Sequence, residues 1–168
     1  MQAAHAVQES GAMTGALNGL STINFPLIIG CFIFYFIGGY LLYSSLFAAV
    51  GSAVNEDPQD AQSLLLPITM PIIFAIVIMM KAVNDPNSGI AVFGSLFPLT
   101  SPIVMMARVA YGVPDGVTLF QLILSMLLLI LGFLGTTWIA AKIYRTGILL
   151  YGKKITWKVM WTWAWKKN

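Results

Sequence analysis

The sequence is short of charge. Only 9% of its 168 residues are Asp, Glu, Lys or Arg, while 58% are hydrophobic; a soluble domain carries about 25% charge. Mean hydropathy is +0.83. So little charge beside long apolar runs excludes a soluble globular fold and marks an integral membrane protein, all-α in class. Cysteine is almost missing: Cys31 stands alone inside an apolar run, so no internal disulfide and no cysteine-built metal site is expected. Histidine is as scarce, and His5, in a polar N-terminal stretch, reads as an exposed residue rather than a ligand. No G-x-x-x-x-G-K-S/T loop is present to cradle ATP phosphates, and neither G-x-S-x-G nor H-E-x-x-H occurs. With no nucleophile–base pair, the chain reads as non-catalytic, without cofactor or metal. An intramembrane enzyme is disfavoured, because the spans lack suitable polar residues.

What the sequence does have is a run without Asp, Glu, Lys or Arg from Gly116 to Ala141. A helix of that length outreaches a hydrocarbon core of roughly 30 Å. Directly after it come Lys142, Arg145, Lys153, Lys154, Lys158, Lys166 and Lys167, seven of the nine basic residues, with no acid among them. Such a flank predicts a cytoplasmic C-terminus. The net charge of +3 is concentrated there. It points to anionic lipid headgroups and topology, not to nucleic acid.

Upstream, 1–24 lacks the basic and apolar regions of a signal peptide and reads as an external loop or surface segment. Met1 is either a true start or an internal methionine of a longer protein. Spans are expected over about 25–54 and 63–82, and the last over 116–142. In the first, Pro26 suits an opening helical turn, and the aromatic cluster Phe32, Phe34, Tyr35 and Phe36 is expected to meet lipid or neighbouring helices. Small residues Ser45, Ala48, Ala49, Ser52 and Ala53 follow at helical spacing and suit close helix packing. Between the first two spans, NEDPQDAQ (55–62) is an acidic loop: a solvated linker, or a docking surface for a cytoplasmic partner built on Asn55, Glu56, Asp57 and Asp60. Its carboxylates lack the spacing and glycine of a calcium loop. Pro67 and Pro71 predict a bend in the second span, and Lys81 at its end is expected to snorkel.

Residues 90–110 carry the most information. Pro98 and Pro102 bracket Leu99, Thr100 and Ser101, leaving two apolar halves too short to cross alone. Two short helices joined by a polar corner describe a re-entrant hairpin, tolerated only where protein or a water-filled cavity surrounds it. Pro98, Thr100, Ser101, Pro102 and Arg108 form its candidate gate. Arg108 itself reads as an interface anchor at the rim, with a functional intramembrane charge as the alternative. If the hairpin re-enters, the acidic loop is cytoplasmic and 1–24 external; if it spans, every upstream assignment inverts. The tail, 143–168, reads as a cytoplasmic amphipathic helix on the membrane surface. Trp157, Trp161 and Trp165 fall on one face, with Lys154 and Lys158 opposite.

Three stretches, GYLLYSSLFAAVGSAVNEDPQDAQ (39–62), NDPNSGIAVFGSLFPLTSPIVMMARVAYG (84–112) and AAKIYRTGILLYGKK (140–154), resemble the C-terminal part of type-2 ABC transporter permeases. The group they are most similar to is the sodium-efflux-permease, NatB-like one. The resemblance implies six-helix half-transporters with an external domain between the first two helices and a re-entrant hairpin before the last. It implies two permease copies, homo- or heterodimeric, with cytoplasmic ABC ATPase subunits that hydrolyse ATP, in a bacterial plasma membrane (the inner one in Gram-negative cells). On that mapping the chain supplies helices four to six. The resulting expectation is a multi-pass permease subunit of an ATP-driven exporter, in contact with membrane lipids. The cargo stays open among sodium, lipid, peptide and drug. A small non-transporting membrane scaffold or anchor is the alternative.

Overall fold

The computed structural model describes residues 24–53, 58–147, 158 and 161–162. Among the described residues the main helices are α1 (Phe25–Ala53), α2 (Pro58–Asn84), α3 (Gly89–Leu96), α4 (Ser101–Val109) and α5 (Leu119–Gly147). There is no strand among the described residues. Three of the helices, over Phe25–Ser52, Gln62–Asn84 and Leu119–Arg145, are long and apolar enough to cross a membrane. Most of their large side chains, such as Phe36, Phe74 and Leu131, point outward. In water that surface would be unstable, so lipid is its natural solvent.

The boundaries follow local chemistry. Asn24 starts α1: its Oδ1 accepts from the Leu27 N–H at 3.4 Å and its carbonyl from Ile28 N–H at 3.1 Å. The second helix begins at Pro58, earlier than expected, so 58–62 are helical rather than loop. A proline's fixed φ suits a first turn. The same helix continues through Pro67 and Pro71 to Asn84. Its end is closed by Asn84 Nδ2, which donates to Met80 O at 2.7 Å. The last helix starts at Leu119, not at 116. Gly116 and Val117 still donate their N–H groups to Gly112 O, in a turn that needs the positive φ of 92° at Gly112. It extends past 142 to Gly147, with the Lys142 ammonium 4.3 Å above the Trp138 ring.

α1 and α5 run parallel. Tyr35 bonds to Leu122 O, a Cβ on Gly38 would meet Leu129, Ser45 donates to Thr136 at 2.9 Å, and Ala49 clusters with Ala140. Rising numbers on one helix meet rising numbers on the other. The small residues of α1 thus serve packing: Ala49 and Val50 join Leu64 and Ile68 of α2 and Ala140 and Ile143 of α5 in one cluster. The aromatic cluster divides. Phe32 and Phe36 stack on the outer face, while Tyr35 is fully buried.

Since α1 and α5 share a direction and α2 opposes them, the segment between α2 and α5 returns to the end it left. It holds α3 and α4, of eight and nine residues. Each is about 12–14 Å long, too short to span.

Candidate functional site

The hairpin of α3 and α4 is built by its prolines. Phe97, preceding Pro98, is extended at φ −71° and ψ 122°, so α3 ends there. Pro102 sits in the first turn of α4, where no N–H is needed. Breaking a helix frees carbonyls, and at membrane depth each requires a donor. Thr100 Oγ1 donates to Gly94 O at 2.6 Å. Phe97 O accepts the N–H groups of Thr100 and Ser101. Tyr43, reaching from α1, donates to Leu99 O at 2.5 Å. Among buried polar side-chain atoms of the described residues, only Ser101 Oγ has no partner.

Glycines admit the corner. A Cβ built on Gly132 of α5 would lie 2.6 Å from Pro98 Cβ, and one on Gly39 of α1 would lie 2.9 Å from Pro102 Cβ. On the α2 side, Ile78 fills the space over Gly94 of α3, 2.7 Å from where a Cβ would be. Each corner proline therefore rests in a notch of a different spanning helix.

Arg108 is placed otherwise than a rim anchor. Its side chain is fully buried. Nε donates to Pro86 O at 2.6 Å, Nη1 to Ser95 Oγ at 2.6 Å and Nη2 to Gln121 Oε1 at 2.8 Å. Ser125 Oγ in turn donates to Ser95 O at 2.7 Å. The physical reason is direction: α4 turns Arg108 toward the protein with Ser101, Val104 and Met105, while Pro102, Ile103 and Met106 line the opposite side. At the open end, Tyr111 donates its hydroxyl to Val83 O and Asn87 Nδ2 donates to Asp115 O at 3.2 Å. Beside the hairpin runs an apolar groove of about 630 Å³. Phe32, Phe36 and Tyr40 of α1, Ile72 of α2 and Met106 of α4 contribute to its wall.

Pro98, Thr100, Ser101 and Pro102 thus meet at one corner, and Arg108 folds back against α3. Asn55, Glu56 and Asp57 lie outside the described residues, as do Trp157, Trp165 and Lys154, while Asp60 falls in the first turn of α2. Lys158 and Trp161 are exposed helical residues. Sequence reasoning assigned no role to Ser95, Gln121, Ser125, Tyr43 or the two glycine notches. One signal was available: Gln121 and Ser125, four apart in an otherwise apolar stretch, share a helix face. No three His, Cys, Asp or Glu side chains gather to hold a metal among the described residues.

Residues 9–142 match the ABC-2 family transporter proteins. The chain is 28% identical over 152 residues to the uncharacterized protein YhaP of Bacillus subtilis, covering 90% of this chain and 35% of that protein. It is 31% identical over 124 residues to the uncharacterized protein MJ1024 of Methanocaldococcus jannaschii, covering 74% of this chain and 30% of that one. The chain thus spans about a third of the length of these curated relatives. No solved structure matches it.

Proposed function

Since the chain belongs to the ABC-2 family of transporter proteins, we propose that it is the C-terminal membrane portion of a permease subunit in an ATP-driven exporter of the NatB-like group. A separate cytoplasmic ATPase supplies the energy, and a second permease copy completes the pathway. One observation carries this reading: a proline-broken hairpin, with its freed carbonyls satisfied, is wedged between three helices fit to span. A simple anchor has no use for it; alternating access does.

In this reading the hairpin re-enters from the outer side and its corner closes the outward end of the path. Residues 25–142 form the membrane part and 143–168 the cytoplasmic tail, with Trp157, Trp161 and Trp165 over Lys154 and Lys158 at the membrane surface. The basic flank after Ala141 sets that orientation. The loop at Asn55, Glu56, Asp57 and Asp60 then faces the ATPase. No Asp or Glu lies in Phe25–Ser52, Gln62–Asn84 or Leu119–Arg145, so these three helices offer sodium no carboxylate.

The test is transport by a full-length permease carrying this segment, reconstituted with its ATPase. Pro98→Ala with Pro102→Ala is expected to abolish ATP-dependent efflux while the protein still inserts and binds the ATPase. Undiminished efflux would remove the hairpin from the gate.

A further inference from the structure

We propose that Arg108 is a positioning residue: a buried latch that holds the hairpin, the loop before it and the first turn of α5 together as one moving part. The proposal rests on the permease reading for its purpose, though not for its test.

The two faces of α4 do different things. Pro102, Ile103 and Met106 look into the groove, where apolar contacts slide past one another with little directional preference. The other face carries a fully buried guanidinium whose three bonds end on three separate segments: Pro86 O in the loop, Ser95 Oγ on α3 and Gln121 Oε1 on α5. All three acceptors are uncharged. Removing a cation from water without an anion is costly, and an apolar side chain would pack there more cheaply. What a guanidinium adds is a rigid fork of donors that joins three segments at fixed angles.

Such a joint does not slip by degrees. A shift of α5 against α3 breaks the Gln121 bond and leaves one arm of a buried cation without its acceptor, which favours joint movement of the segments. The Ser125–Ser95 bond ties the same two helices a second time. Motion is therefore directed to the contacts with α1 and α2, which carry no charge: notches, with Pro102 over Gly39 and Ile78 over Gly94, and single tyrosine bonds from Tyr43 to Leu99 O, Tyr35 to Leu122 O and Tyr111 to Val83 O.

Hydrogen–deuterium exchange on the chain in lipid nanodiscs tests this without any cargo. Gln121→Leu is expected to speed exchange roughly tenfold across 85–109 and the start of α5 together, leaving α1 unchanged. Arg108→Lys, which keeps the charge and loses the fork, is expected to do the same. Gln121→Glu neutralises the buried cation and is expected to slow exchange in those segments below the wild type. A rise confined to the first turn of α5, or spread equally into α1, overturns the latch. So does a Gln121→Glu protein that exchanges as fast as wild type or fails to fold. Should Gln121→Leu not fold, the glutamate variant carries the test alone.

Discussion

Pro98 rests on Gly132. A Cβ at 132 would stand 2.6 Å from the proline's own Cβ, so the hairpin corner and the middle of the last helix share space that any side chain would fill. Gly132 lies 13 residues after Leu119, about 20 Å along the helix at 1.5 Å per residue. The corner thus lies near the middle of α5.

Replacing Gly132 by Ala overpacks a site formed by a rigid ring. It is expected to lower stability by about 1–3 kcal/mol, read as a fall in Tm of the detergent-solubilised chain. Gly135 is the control, since a Cβ there meets nothing within 4 Å. Gly135→Ala should leave Tm unchanged or slightly raised. Equal effects at both positions would show that the notch does not constrain the corner.

Tyr43→Phe removes the hydroxyl that donates to Leu99 O and leaves that carbonyl of the broken backbone without it. The expected loss is about 1–3 kcal/mol, with faster amide exchange over 97–104. Thr100→Val, which takes the hydroxyl from Gly94 O, should act in the same place. A wild-type exchange pattern in both variants would mean that water already serves these carbonyls.

Ser101→Ala should go the other way. The Ser101 hydroxyl is buried without a partner among the described residues, and removing it is expected to be neutral or stabilising by up to about 1 kcal/mol. The check is a pair of measurements, Tm of the chain and the proposed efflux by a full-length permease carrying this segment. Lost efflux at undiminished Tm would assign the hydroxyl a role toward the cargo.

Orientation is read with a membrane-impermeant thiol reagent on intact cells. Cys31 is buried and contributes little background, and Cys31→Ser removes it. A cysteine at Asn87, in the loop before α3, should label from outside. One at Lys158 should label only after permeabilisation. The reverse pattern would place the hairpin on the cytoplasmic side and overturn its proposed role as an outer gate.

Much of the architecture was legible because long-range contacts do not set it. Three long apolar runs, Pro26 at the start of the first, and Pro98 with Pro102 act on their own neighbours through chain length, a fixed φ and a missing N–H. The short halves of the hairpin could be measured on the sequence. The bounds of α2 and α5 were missed by a few residues, because a Pro58 start and the Gly112 turn depend on φ angles that hydropathy does not register. The site was legible only in part. Prolines announce a corner, yet which glycine receives each one depends on how helices far apart in the chain come together.

By itself the sequence determined that this chain is a multi-pass helical membrane protein, with a broken segment before its last span and a basic tail after it. These follow from solvent and backbone chemistry, which act locally. Only the tertiary structure decided that α1 and α5 run parallel, with the broken segment returning toward the end of α2 that it left; the loops hold too few Lys and Arg to decide it by charge. Only the tertiary structure turned Arg108 inward. Length and charge place an arginine near a membrane, but the face of α4 packed against α3 and α5 determines whether it meets headgroups or three protein oxygens.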